Sequence, residues 1–203
     1  MNDTGSGQKI LNKVSKRIIA ITSARMVLAS FVGFLVTATL INSKPFGVEQ
    51  LKDITGGVGL LDMELLYTPN QAYAHLTAMG EAGRTFDLTH IIPLDFVFPL
   101  MYMLFYAVTI TWLLHKWLPE ASQWHQLNVI PLVGGIADYL ENFGIITMLI
   151  AWPDKLPDIA IFTMVADLVK FTCIILSVLI IIGALTGWVI RIFKGYSGRS
   201  PIL

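Results

Sequence analysis

Four stretches of this sequence are long and apolar enough to cross a bilayer, and no other property limits the possible folds so strictly. A spanning helix needs about 20 mostly apolar residues, because lipid offers no partner to an unpaired backbone group. Such stretches run from about Ile18 to Ile41, His90 to Leu114, Leu127 to Trp152 and Ile159 to Ile190. The composition agrees: 55% of residues are hydrophobic and 14% charged, too apolar for an ordinary soluble domain. The expected fold is all-α, an integral membrane four-helix bundle in which residues 1–203 form one domain. The net charge of zero gives no reason to expect a nucleic-acid partner, and the single Cys173 forbids a disulfide within the chain.

Lys13, Lys16 and Arg17 precede the first stretch as in a signal peptide. Its apolar run is too long for a signal sequence, however, and "TATLINSKP" is a poor cleavage site, so it reads as a retained anchor. Basic residues set the expected orientation. Lys9, Lys13, Lys16 and Arg17 lie before the first span, and Arg191, Lys194 and Arg199 after the last. The loop over about 42–89 has Lys44, Lys52 and Arg84 against six acids. Both termini are therefore expected in the cytoplasm of a bacterial cell, in its inner membrane, with the long loop outside. Trp112, Trp117, Trp124 and Trp188 then fall near the inner interface and Trp152 near the outer one, as an aromatic belt requires.

Within the loop, "YTPNQAYAHLTAMGEAGR" predicts a short amphipathic helix over 69–79. Thr68 is the N-cap, Pro69 suits the first position, Gln71 completes a capping box and Gly80 is the stop. Ala72, Tyr73, Leu76 and Met79 share one face, which covers either the membrane surface or the mouth of the bundle. The preceding "ITGGVGLLDMELLY" reads as a re-entrant or interfacial turn; its glycines do not join a strand to a helix, so phosphate binding is not inferred.

The third stretch contains "GGIADYLENFG", residues 134–144. Asp138, Glu141 and Asn142 stand at i, i+3 and i+4 and share one helix face, and Gly134 one turn earlier lets a neighbouring helix come close. A charge at mid-membrane costs at least about 2.5–3.5 kcal/mol, so this face must look into protein or water. Other spans offer partners. Asp95, Tyr102, Tyr106 and Thr109 follow one face of the second span, which Pro93 and Pro99 should bend near Asp95. Thr163, Asp167, Lys170 and Ser177 share a face of the fourth, either at the outer interface or deeper if the helix tilts. Together they predict an outward-open polar vestibule narrowing toward Asp138, with Lys170 in ion-pair reach of a carboxylate. Arg84, just before the second span, and His90, at its start, are further candidates for the same site. Four carboxylates and one ammonium cannot all ionise at low dielectric. These groups also read simply as hydrogen-bonding glue between helices, at about 0.6–2 kcal/mol per bond.

"YTPNQAYAHLTAMGEAGR", "LDFVFPLMY" and "ADYLEN" resemble a family of small four-span membrane proteins, mainly bacterial, over about residues 60–175. That resemblance implies the fold and brings no function. The layout also looks like the EXPERA group, which includes emopamil-binding sterol isomerases: four spans, a long first loop outside and acids in an apolar pocket. "LDFVFPL" is similar to the second span of that group and would make Asp95 a pocket residue, whereas the third span does not follow the group's pattern.

Three kinds of function fit. One is a pocket that binds, or binds and transforms, a small apolar or cationic molecule, with Asp95, Asp138 and Glu141 holding a positive centre or moving protons and Tyr102 and Tyr106 as aromatic walls. Another is a proton- or cation-coupled carrier, which with four spans would act as a homo-oligomer. The third is a structural or assembly subunit. His75, His90, His115 and His125 show no zinc-type spacing, so neither metal nor cofactor is expected.

Overall fold

A computed structural model describes residues 4–197, and Arg199 lies outside them. Among the described residues the chain is all-α, without strands, and four helical stretches are long and apolar enough to cross a membrane: Ala24–Asn42, Pro69–Trp117, Gln123–Ala151 and Pro157–Lys194. The protein is thus a multi-pass membrane bundle. Its first membrane helix, α2 (Ala24–Asn42), packs on α6 (Phe98–Trp117), which packs on α7 (Ile130–Ala151) and α8 (Pro157–Ser197), themselves the most extensively paired helices.

The first span begins later than expected. Residues 18–21 belong to a separate helix, α1 (Thr4–Ile21), and the chain turns at Thr22–Ser23. Ser23 is extended (φ −151°) and its hydroxyl accepts the Met26 N–H at 3.1 Å, which starts α2 afresh. Apolar residues run through the turn, so hydropathy alone merged the two helices.

The second span is one long, interrupted helical path. After a short helix α3 (Val48–Thr55), α4 (Pro69–Phe86) opens with the expected capping box: the Thr68 N–H donates to Gln71 Oε1 at 2.7 Å, and the Gln71 N–H to Thr68 Oγ1 at 3.3 Å. Gly80 breaks it with φ 67° and ψ 178°, a conformation open in practice only to glycine. The helix then resumes instead of ending, and a π-turn over Asp87–Ile91 leads into α5 (Ile92–Asp95). A break at Phe96–Val97 separates α5 from α6, between Pro93 and Pro99, where missing N–H donors make a bend cheap. The third span starts with a 3₁₀ segment, Gln123–Val129, before α7. The fourth overruns its expected limits. With 41 residues α8 is ~60 Å long, twice the ~30 Å hydrocarbon layer.

Glycines set the α7–α8 distance. A Cβ on Gly134 would come within 2.9 Å of the Cys173 Cβ, and one on Gly144 would collide with Thr163. At the other end of these helices α4 lies across the bundle. Tyr73 and Leu76 are 1% and 0% exposed and belong to one core with Ile145, Met148 and Ala160. Burial on that scale gives about 1.5–3 kcal/mol per large side chain. The Tyr73 hydroxyl accepts the Leu156 N–H at 2.6 Å, and the Tyr73 ring stacks on Trp152. The predicted amphipathic helix is therefore a roof packed on the bundle, not a float on the surface.

Candidate functional site

The acidic face of α7 looks inward, halfway along the helix. Asp138, Glu141 and Asn142 are 3%, 0% and 1% exposed. Lipid would leave each of them unpaired, so the same physics that made them improbable in a span fixes the rotation of α7. Opposite them on α8, Thr163, Asp167, Lys170 and Ser177 are all buried, as the shared face requires. Gly134 and Gly144 let α8 approach closely enough for the side chains to meet.

Two linked groups result. In the first, Lys170 Nζ lies 2.5 Å from Glu141 Oε2 and 2.9 Å from Asp167 Oδ1. In the second, the Tyr102 hydroxyl donates to Asp138 Oδ2 at 2.9 Å, and Asn142 Nδ2 donates to the backbone carbonyl of Asp95 at 3.2 Å and to Asp138 Oδ1 at 3.5 Å. The broken helix around Phe96 serves this group: it frees the Asp95 carbonyl for Asn142, and the Phe96 carbonyl accepts the Tyr139 hydroxyl at 2.9 Å.

The roof adds residues that the sequence reading missed. A 3₁₀ turn, Leu61–Met63, places Asp62 over the cluster, where it stands in the field of Lys170 and Asp167. Asp62 is half-buried as a residue, but its Oδ1 is sealed from solvent. Burial pushes its carboxyl above the usual carboxylate range, while the Lys170 ammonium pulls the other way. Tyr67 is 7% exposed, and burial together with Glu141 and Asp167 pushes its phenol upward. Asp87, 3% exposed, joins from the π-turn. Asp62, Asp87, Asp95 and Asn142 line a void of about 10 Å³, room for about one water molecule. The available signal was "LLDMELLY", an isolated acid among apolar residues in a loop, but a loop has no period from which to read a facing direction.

Three expected members stand elsewhere. Arg84 donates from Nη1 to the Leu76 carbonyl at 2.7 Å and lies 4.2 Å from the centre of the Trp152 ring, so it clamps the roof and does not meet the acids. His90 is exposed, stacked on Phe86 and bonded to Thr89; the π-turn rotates it away from the face that carries Asp87. Tyr106 packs among Phe34, Tyr102 and Phe105 against α2, one turn too deep to reach a carboxylate. Nor is the site an open vestibule, since α4 and the 3₁₀ turn close it.

Five carboxylates (Asp62, Asp95, Asp138, Glu141 and Asp167) thus share the field of one ammonium, and Asp87 stands beside Asp62. Glu141 Oε1, Asp167 Oδ2, Asp62 Oδ1 and the Tyr67 hydroxyl have no hydrogen-bond partner. Among the described residues no three His, Cys, Asp or Glu side chains are placed to hold a metal ion. No protein-family model, curated protein or solved structure matches this chain.

Proposed function

We propose that the closed acidic chamber binds a small cation, down to a bare proton, that reaches it from the α4 side. The observation that supports this reading is the set of buried carboxylate oxygens without a donor, Glu141 Oε1, Asp167 Oδ2 and Asp62 Oδ1. Unmatched buried acceptors are costly, and protons or another small positive species would satisfy those within its reach. The small void argues against a lipid-like ligand in the closed state, because only a water-sized species fits. In this reading the chain sits in a bacterial cell membrane with the α4 end outward. Lys9, Lys13, Lys16, Arg17, Lys116, Arg191 and Lys194 all belong to the opposite end, which supports that orientation.

Infrared difference spectra of the purified protein between acid and alkaline buffer test the reading. Carboxylic-acid carbonyl bands should appear on acidification and lose one component in Glu141→Gln. Identical difference spectra for the two proteins would reject it. A structural role is the second reading, favoured by the Tyr102–Asp138 and Lys170–Glu141 bonds, each of which ties two helices together. It predicts that Glu141→Gln is silent in every assay except stability.

A further inference from the structure

The opposite end of the bundle carries a second polar site. There α1 docks on the 3₁₀ segment before α7 through side chains: Gln126 donates to Asn12 Oδ1 at 2.7 Å, Gln8 to Gln126 Oε1 at 2.9 Å, and Ser15 to the His125 carbonyl at 3.3 Å. Between the two elements lies a cavity of about 590 Å³ whose lining includes Asn12, Ser15, Lys16, Glu120, His125 and Gln126. Polar side chains dominate that wall, unlike the lipid-facing surfaces of the spans. His125 is 3% exposed; its Nε2 pairs with the Pro119 carbonyl at 3.0 Å, and its buried Nδ1 has no partner. The Lys16 ammonium and the Glu120 carboxylate therefore border one cavity, whereas His125 Nδ1 is sealed behind its wall.

The surroundings narrow the choice of ligand. α1 has three faces. One packs on the protein through Ser15 and Ile18. A second is apolar and exposed, with Ile10 at 63% and Ile21 at 50%. A third carries Lys9, Lys13, Lys16 and Arg17 in adjacent turns. A helix of this kind, joined directly to a membrane span, suits the plane of the interface, with its apolar face toward acyl chains and its basic face among headgroups. Beyond the 3₁₀ segment, Leu114, Trp117, Trp124, Leu127 and Ile180 line an almost wholly apolar groove of about 520 Å³. A soluble anion would have no use for these apolar surfaces, whereas a phospholipid would.

We infer that the cavity between α1 and the 3₁₀ segment binds the headgroup of an anionic glycerophospholipid, with Lys16 on the phosphate and the Glu120 carboxylate accepting from a headgroup hydroxyl. The α1 helix is then a lipid-sensing foot and not merely a leader to the first span. The site shares no residue with the acidic chamber and does not rest on the reading given for it.

The test offers phosphatidylglycerol or phosphatidylcholine to the full-length protein in neutral detergent and reads bound lipid by native mass spectrometry. Phosphatidylglycerol should be retained in preference, and Lys16→Gln, an exposed position, should lower that preference roughly fivefold. Lys194→Gln, at the same end but outside the cavity, should leave it unchanged. Equal retention of the two lipids overturns the proposal. So does an equal loss in both variants, which would mean diffuse attraction without a site. Glycerol phosphate, the headgroup without chains, should not compete; competition on a par with the lipid would assign the cavity to a soluble anion and reject the proposal.

Discussion

Lys170 on α8 holds Glu141 on α7 and Asp167 on its own helix at once, with 2.5 Å and 2.9 Å between charged atoms. One ammonium thus tethers two helices inside the bundle, and its removal differs from the removal of either acid. Lys170→Met leaves both carboxylates buried without a cation, a change that costs about 3–5 kcal/mol where a buried pair is broken. Glu141→Gln leaves Lys170 its bond to Asp167 and should cost markedly less. Thermal unfolding in detergent should rank them in that order. The Lys170→Met deficit should shrink in acid buffer, where protons replace the lost cation.

The two glycines that differ most in their surroundings give a paired test of helix packing. Gly144→Ala drives a methyl into Thr163, whereas at Gly183 nothing lies within 4 Å of an added Cβ. Gly183→Ala should be neutral or stabilising by up to about 1 kcal/mol. Gly144→Ala should lose about 1–3 kcal/mol through overpacking. Equal melting temperatures for the two variants would contradict the close α7–α8 approach.

The roof is testable at one atom. Tyr73→Phe keeps the ring on Trp152 but leaves the Leu156 N–H without its acceptor. Loss of one such bond costs about 1 kcal/mol. Amide hydrogen exchange should therefore quicken several-fold over Pro69–Phe86 and stay unchanged along α6.

Asp62 makes the docking of its loop dependent on pH. Its carboxyl is held above the ordinary range, chiefly by burial, so the docked loop favours the protonated acid. Docking is strongest below the ordinary carboxylate pKa and weakens as pH rises through and beyond that value. Exchange at residues 60–67 should accelerate with pH beyond the intrinsic chemical rate, and Asp62→Asn should abolish that excess.

Orientation is settled by labelling in intact cells. In a Cys173→Ser background, a cysteine at Glu64 should react with an impermeant maleimide and one at Ala121 should not; both positions are exposed and lie at opposite ends of the bundle. The reverse pattern would invert the topology.

Membrane physics explains which parts of this architecture could be read in advance. Asp138, Glu141 and Asn142 had to face inward because lipid leaves no alternative, and Lys170 stood on the polar face of a neighbouring span, at a depth that the sequence left open. Their faces could be read from the sequence, whereas their common depth is set by the packing of α8 on α7. Capping chemistry located the start of α4, because Thr68, Pro69 and Gln71 act on their own neighbours. The positions of Asp62 and Tyr67 depend instead on how a loop folds back over the bundle, and no repeat in the sequence records that path. Arg84 was misplaced because α4 resumes after Gly80, where the sequence reading ended the helix, and His90 for a related reason. A π-turn adds a residue to the helical count, so faces drawn at the α-helical period drift out of register past Asp87.

The overlong α8 has a mechanical consequence. Lys170 and Arg191 ride on one uninterrupted rod, about 30 Å apart at the α-helical rise. A tilt of roughly 5° about the level of Lys170 would carry the Arg191 end sideways by about 3 Å over that arm. Arg191 is tied there to the Lys116 carbonyl at 3.1 Å, and the Gly187 position bears on Trp117. A helix pivoting at the ion pair would act as a lever, and a change of charge at Glu141 that tilted it would register as displacement at the far face of the membrane.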